Sequence, residues 1–155
     1  MTSDALLAQV IDMAVDNARS GRGGPFAALV VKGGVVIASG VNIVTASNDP
    51  TAHAEIVAIR AACRELGTFQ LAGCDLYASC EPCPMCLGAI YWARAARIFC
   101  AATRADAAAA GFDDSFIYSE LTAPQGARRI PAICLLREQA GRAFEAWRQS
   151  PHVAY

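Results

Sequence analysis

Two short segments of the chain, residues 51–55 and 80–86, contain the residues best suited to chemistry. They include one imidazole, that of His53, and two thiols three residues apart, those of Cys83 and Cys86. One nitrogen and two sulfur ligands suit Zn²⁺, and three protein ligands rather than four leave a coordination position for water. Zinc lowers the pKa of bound water to about 7. The spacing therefore predicts one catalytic Zn²⁺ per chain, which forms hydroxide near neutral pH.

Glu55, two residues after His53, is the predicted acid–base group. Hydrolysis at an aromatic ring needs a proton at a ring nitrogen and at the leaving group, and a nearby carboxyl can deliver both. Residues two apart point about 200° apart on an ideal helix, so both side chains face one metal only if the helix starts at His53. The H-x-E and P-C-x-x-C pair is the motif of zinc-dependent nucleobase deaminases.

Cys80 leaves two alternatives open at the metal. It could add a fourth ligand and close a structural zinc site, which would leave Glu55 without a task. The spacing Cys80-x-x-Cys83-x-x-Cys86 also begins like a bacterial iron–sulfur run, although Ile90 stands where the next cysteine belongs. An odd total of 7 cysteines argues against a disulfide framework. Four cysteines stand among apolar residues and are expected to be small buried hydrophobes: Cys63, Cys74, Cys100 and Cys134.

The elements that must position these groups alternate between helices and strands. Apolar residues of helical period after Leu6 predict a first helix that stops near residues 21–24, and Gly33-Gly34 predicts a hairpin between strands 27–31 and 35–38. A polar loop, residues 42–51, and a helix that ends at Gly67 follow. Further strands are expected at residues 76–79, 98–102 and 133–136, and helices at residues 87–92, 116–121 and 139–148. This order predicts a single α/β domain over residues 1–155, a three-layer α/β/α sandwich with a mixed sheet of about five strands.

Composition excludes two classes of function. The 13 basic and 14 acidic residues give a net charge of −1, whereas nucleic-acid binders usually carry a basic excess. No apolar run is long enough for a transmembrane helix, and the opening Met1-Thr2-Ser3-Asp4 lacks the basic region of a signal peptide. We therefore expect a cytoplasmic protein with a small ligand, no nucleic-acid partner and no membrane.

The sequence resembles the bacterial guanine deaminases of the cytidine-deaminase-like superfamily over nearly its whole length. The matching runs are Gly23-Gly24-Pro25-Phe26 and residues 47–55, 80–94 and 111–118. The resemblance implies hydrolysis of guanine to xanthine and ammonia, with zinc hydroxide attacking C2 and Glu55 carrying protons to a ring nitrogen. It implies a purine base and water as the small-molecule partners.

The resemblance also implies roles for residues outside the zinc motif. Asp114 would assist the leaving amine, Asn42 would hydrogen-bond the purine edge, and the backbone of Ala54 would contact the ring. Phe26 and Trp92 would line the base pocket. Each has a structural alternative: core packing for the two aromatic residues, a helix N-cap for Asp114 and a turn amide for Asn42.

The C-terminal segment, about residues 137–155, is the last expectation. The resemblance implies a homodimer that exchanges this helix and tail between subunits, with Tyr155 closing the partner's pocket. Pro151 should stop the last helix, which Phe144 and Trp147 pack. The alternative is a frayed chain end.

Three functions compete at this stage. A purine-base aminohydrolase that prefers guanine is favoured. A tRNA adenosine deaminase, or another small-nucleobase deaminase, shares the zinc motif, and the charge balance argues against the RNA substrate. A zinc-stabilised module without activity would not need Glu55.

Overall fold

A mixed sheet of four strands lies at the centre of the first unit of the protein, Met1–Ser115, in a computed structural model that describes residues 1–154. The strands run in the order β2-β1-β3-β4 across the sheet. Their bounds are Ala27–Lys32 (β1), Val35–Val41 (β2), Cys74–Cys80 (β3) and Arg97–Ala102 (β4). The β1 strand pairs antiparallel with β2 and β3, and β3 pairs parallel with β4. The predicted mixed sheet is confirmed, with four strands instead of about five.

Helices and strands alternate along the first unit of the chain, as predicted. The bounds of the helices are Ser3–Ser20 (α1), Val44–Ser47 (α2), Ala54–Leu66 (α3), Pro84–Ala93 (α4), Arg104–Ala109 (α5), Ser115–Thr122 (α6) and Arg137–Gln149 (α7), with a 3₁₀ turn at Gln125–Ala127. The loop expected after β2 contains the single turn of α2, which Asn48 ends in the left-handed region at φ 52°. Within the described residues no helix is long and apolar enough to span a bilayer.

The β1–β2 hairpin turns where the sequence predicts. Gly33 and Gly34 both have positive φ, 57° and 81°, which a tight hairpin turn between right-twisted strands requires. The register then slips by one residue at Val30/Val31. Beyond the bulge, the strands bring Ala27 opposite Val41, so the end of β2 lies beside the start of β1.

The two faces of the sheet bury separate cores. On one face α1 packs Leu6, Val10 and Ala14 against Leu29 and Tyr77. On the other face α3 and α4 pack small residues against the same strands. The residues of that second core are Ala28, Val30, Ala54, Ala58, Ala62, Leu71, Cys74, Leu76, Ala78, Ile90 and Ala93. Helices on both faces confirm the predicted three-layer arrangement.

Three local predictions are wrong. Residues 133–136 form no strand, because in the described chain this segment has no hydrogen-bonded partner strand. Cys100 and Cys134 are exposed instead of buried, since Cys100 lies on the edge strand β4 and Cys134 lies in that unpaired segment. The prediction holds for Cys74, which is buried, and Cys63 is half-buried.

The second unit begins at Phe116 and contains most of α6, the 3₁₀ turn and α7. None of its residues from 116 to 154 is buried. Large apolar side chains in it are exposed, among them Ile130, Ile133, Leu135, Leu136 and Phe144. The final helix ends at Gln149, just before Pro151, as predicted.

Candidate active site

His53 and Glu55 lie on either side of the start of α3. His53 is the N-cap residue, with extended backbone (φ −68°, ψ 155°), and the helix begins at Ala54. Because His53 lies outside the helix, the angular relation of an ideal helix does not apply to the pair. Gly40 lets β2 lie close to the start of α3, since a Cβ on residue 40 would lie 2.3 Å from the carbonyl oxygen of Ala54. The predicted placement of this pair at the start of a helix is confirmed.

The start of α4 brings the two thiols to one side. Cys83 is the N-cap with extended backbone (φ −66°, ψ 168°), and Pro84 takes the first helical position, where its missing N–H costs no hydrogen bond. Cys86 therefore lies in the first turn, and it is fully buried. Both thiols lie at the positive end of the helix dipole, which favours thiolates.

These two helix starts converge on one point. The Nδ1 atom of His53 lies 3.6 Å from the sulfur of Cys83 and 3.5 Å from that of Cys86. All three ligand atoms lie within 4.8 Å of one another. A tetrahedral Zn²⁺ with ordinary Zn–S and Zn–N bonds places an S and an N ligand about 3.5 Å apart. The donor types and their spacing therefore fit one zinc ion, and the predicted cofactor is confirmed.

The pKa values of the Cys83 and Cys86 thiols are shifted in opposite directions. The hydrogen bond from the Cys86 thiol, with a further bond to His53, lowers the pKa of Cys83 to about 4. The same hydrogen bond to Cys83 and then burial raise the pKa of Cys86. The lowered pKa suits Cys83 to bind a metal as a thiolate, and Cys86 must lose its proton to become a ligand.

Glu55 lies beside this ligand set in a dry environment. Its side chain is 8% exposed, and burial is the largest cause that raises the pKa of its carboxyl. Negative charge on Cys83 raises the pKa of Glu55 further. A carboxyl that can hold a proton closer to neutral pH is suited to carry protons between water and a bound substrate.

Cys80 does not join the ligand atoms among the described residues. Its thiol donates a hydrogen bond to the carbonyl of Thr103 at 3.4 Å, and burial raises its pKa to about 11. The neighbouring Glu81 accepts a hydrogen bond from the backbone N–H of Arg104 at 3.0 Å. Both contacts attach the loop before Cys83 to the turn between β4 and α5. This geometry favours a three-ligand site over the structural four-ligand alternative.

We expect Cys80→Ala to leave the zinc content near one ion per chain, because the substitution removes a loop contact and no ligand. Elemental analysis of the purified variant measures this directly. Loss of the metal in Cys80→Ala would favour the structural four-ligand site.

The proposed substrate-binding residues lie in different surroundings. Asn42 is buried at the end of β2, and its Oδ1 accepts hydrogen bonds from the backbone N–H groups of Gly24 and Val44, both at 3.2 Å. Ala54 is fully buried. Trp92 on α4 is 68% exposed. Their contacts with a base therefore stay predictions, and Tyr155 lies outside the described residues.

Asp114 precedes α6 and is half-buried. Burial raises the pKa of its carboxyl, and the charge of Cys83 raises it further. Its neighbour Asp113 accepts a hydrogen bond from the N–H of Ser115 at 2.9 Å.

Two residues that support this region, Phe112 and Asn17, belong to no catalytic motif of the sequence. Phe112 packs edge-on against Phe26, with ring centroids 5.0 Å apart, and it lies inside the run 111–118 that carries the resemblance. Asn17 on α1 is buried and donates hydrogen bonds to the carbonyls of Gly24 and Asn42. The available signal was its position, since Leu6, Val10, Ala14 and Asn17 form one buried stripe. A polar residue in an apolar stripe needs a partner.

The profile of the cytidine and deoxycytidylate deaminase zinc-binding region matches residues 1–102, which include His53, Glu55, Cys83 and Cys86. The chain belongs to this family of zinc-binding deaminases. It is 53% identical to guanine deaminase from Bacillus subtilis over 148 residues, which is 96% of this chain and 95% of that protein. The X-ray structure of guanine deaminase from the same organism matches it with a TM-score of 0.96 and 51% identity, over 100% of this chain and 99% of that chain.

Two further relatives show how far the likeness extends. A guanine deaminase structure from Nitrosomonas europaea matches with a TM-score of 0.68 and 34% identity, over 94% of this deaminase and 84% of that chain. A tRNA-specific adenosine deaminase from Aquifex aeolicus is 46% identical over 74 residues, 48% of this chain and 49% of that protein. The resemblance to guanine deaminases thus covers nearly the whole chain. The predicted enzyme class, a zinc-dependent aminohydrolase, is confirmed.

Proposed function

We propose that this deaminase hydrolyses guanine to xanthine and ammonia. The observation that carries the proposal is the convergence of His53, Cys83 and Cys86 beside the buried carboxyl of Glu55. The substrate follows from the 53% identity to a guanine deaminase over 96% of the chain. The net charge of −1 supports a small neutral base over a polyanionic RNA.

The side chains divide the work of the reaction. His53, Cys83 and Cys86 would hold the zinc ion, which would supply a hydroxide nucleophile near neutral pH. Glu55 would take a proton from water and deliver it to a ring nitrogen. It would then take the proton of the oxygen newly bonded to C2 and pass it to the amine, which leaves as ammonia while the C2 carbonyl of xanthine forms. Burial suits Glu55 to this task, because a raised pKa lets the carboxyl hold the proton between the two transfers.

Recognition of the base is assigned to a group of residues around the first turn of α3. Asn42 offers its side-chain amide to the purine edge, the backbone of Ala54 contacts the ring, and Phe26 forms an apolar wall. The edge-on contact with Phe112 supports that role by fixing the Phe26 ring. We propose Trp92 as a second wall.

A substrate panel tests the proposal. Metal-replete protein is incubated with guanine, adenine, cytosine, cytidine, guanosine and tRNA, and ammonia release is measured. Guanine alone is expected to react fast. Fast release from tRNA with none from guanine would contradict the assignment and favour a tRNA adenosine deaminase.

Asp114 is proposed as the group that assists the leaving amine. Asp114→Asn should lower turnover while the melting temperature stays near that of the wild type, since an amide can still cap a helix but cannot carry a proton. Asp113→Asn is the matched control, because that carboxylate is the adjacent one and accepts a hydrogen bond from the N–H of Ser115. Equal losses of stability and activity in Asp114→Asn would point to a capping role.

We further propose a homodimer in which residues from about 137 to 155 are exchanged between subunits. The exposed apolar side chains from 130 to 144 support it, because they need a partner surface to leave water. A second copy of the chain is the proposed cover. In this arrangement each chain, residues 1–155, acts as one deaminase domain.

We place the protein in the cytoplasm, where a reducing environment keeps Cys83 and Cys86 as free ligands.

Deletion of residues 151–155 should strongly reduce guanine turnover and leave zinc content unchanged, because the tail would exclude bulk water from the partner's site. Mixed dimers test exchange directly: refolding Glu55→Gln chains with tail-deleted chains should restore part of the activity. A deletion without kinetic effect would show that the tail takes no part.

A further inference from the structure

Asn17 is a buried residue whose side-chain amide donates hydrogen bonds to two backbone carbonyls, those of Gly24 and Asn42. It is 1% exposed, on the buried stripe of α1. Its Nδ2 donates to the carbonyl of Gly24 at 2.8 Å and to the carbonyl of Asn42 at 2.8 Å. One side chain thereby ties the loop before β1 to the residue that follows β2.

Packing alone does not account for this amide. Its Oδ1 is buried and has no hydrogen-bond partner among the described residues. An unpartnered buried oxygen costs free energy, and an apolar side chain at the same position would avoid that cost. The other buried positions of this stripe are occupied by apolar residues, Leu6, Val10 and Ala14. The two donated hydrogen bonds must therefore be what Asn17 provides.

The two carbonyls that accept hydrogen bonds from Asn17 belong to a frame of backbone groups around the Asn42 side chain. The frame consists of Gly24, Phe26, Val44 and the backbone of Asn42 itself. Gly24 donates its N–H to Asn42 Oδ1 at 3.2 Å, and Val44 donates to the same oxygen at 3.2 Å. Phe26 continues the frame, because its N–H bonds to the Gly24 carbonyl at 2.8 Å and its own carbonyl accepts from Asn42 N–H at 3.0 Å. The fit is tight, since a Cβ on Gly23 would lie 2.0 Å from the carbonyl oxygen of Asn42.

This frame fixes which end of the Asn42 amide is offered. With Oδ1 engaged by two N–H groups, only the Nδ2 group can turn to a ligand, and it makes no hydrogen bond within the described residues. An amide presented in this way donates and does not accept. It therefore selects a base edge that carries an acceptor.

We propose that Asn17 is a positioning residue for substrate recognition: it fixes the Gly24 and Asn42 backbone so that the Asn42 Nδ2 group donates to an acceptor of the purine. The inference rests on the proposed function and on the role of Asn42 in it. Asn17 itself touches no reacting atom. Its loss should weaken binding of the base and leave the proton transfers of Glu55 intact.

Asn17→Leu is the primary test, because it keeps the branched arrangement of heavy atoms, removes both donated hydrogen bonds and also removes the unpartnered oxygen. We expect the KM for guanine to rise about tenfold, as expected for loss of one well-oriented hydrogen bond to substrate, with kcat little changed. Val10→Ala is the matched control, a buried change on the same helix in the core against β1. It should lower the melting temperature without moving KM. If Asn17→Leu folds poorly, Asn17→Ala is measured in the same way.

A double-mutant cycle separates positioning from general damage. If Asn17 acts through Asn42, Asn17→Leu should change KM little when introduced into Asn42→Ala protein. Equal KM effects in both backgrounds, or a KM no different from that of Val10→Ala, would overturn the inference. If the wild type does not deaminate guanine at all, the proposed function fails as well. Guanine turnover by the wild type with normal KM in Asn17→Leu overturns this inference alone.

Discussion

Glu55→Gln is expected to lower guanine turnover by about 100-fold or more, the usual contribution of a positioned acid–base group. The amide has nearly the same shape as the carboxyl, so the fold and the zinc content should stay near those of the wild type. The loss should appear in kcat, because a glutamine cannot take a proton from water or deliver one to the ring. Steady-state xanthine formation, together with elemental analysis of the same samples, measures both quantities.

Glu65→Gln is the matched control for this substitution. Glu65 lies in the last turn of the same helix, α3, and is exposed. Its replacement should change neither zinc content nor kcat. A Glu55→Gln protein that turns over guanine at the wild-type rate would refute the acid–base role and would favour a zinc module that has no need of that carboxyl.

Cys86→Ala is expected to lose zinc and activity together. Cys86 is fully buried and supplies one of three ligand atoms, so its removal leaves one imidazole and one thiolate. Metal affinity should fall by more than about 100-fold, since changes in groups that merely orient a ligand already cost about 10- to 100-fold. Zinc per chain and the rate of ammonia release are measured on the same preparation, and Cys83→Ala should behave alike.

Cys74→Ala controls for the loss of a buried sulfur. Cys74 is buried in the core at the start of β3 and lies outside the group of metal ligands. Its replacement should cost stability through the cavity and leave zinc content at one per chain. Retention of the full zinc content by both Cys83→Ala and Cys86→Ala would contradict the metal site.

The sequence predicts the elements that depend on local signals. The Gly33-Gly34 pair is sufficient for the hairpin, because positive φ is what such a turn requires. Pro84 and the extended residues before α3 and α4 are local signals too, and they suffice to bring His53 and the two thiols to helix starts. The metal site could thus be predicted from the motif together with its placement at two helix starts.

Features that depend on partners far apart in the chain could not be predicted from the sequence. Residues 133–136 carry an apolar run typical of a strand, yet a strand exists only with a neighbouring edge, which this segment lacks in the described chain. Asn17 shows the same limit at the site. Its hydrogen bonds join residues 7 and 25 positions away, and no local pattern identifies such partners. The thiol of Cys80 donates its hydrogen bond to the carbonyl of Thr103, 23 residues away, and no local pattern identifies that partner either.

A zinc titration of metal-free protein tests the central claim, zinc-dependent deamination of guanine, most directly. Xanthine formation is followed as Zn²⁺ is added in steps to chelator-treated enzyme of known concentration. The account predicts negligible activity without metal and a rate that rises in proportion to zinc and levels off at about one ion per chain. Undiminished turnover by the metal-free protein, or full zinc occupancy without xanthine, would contradict it.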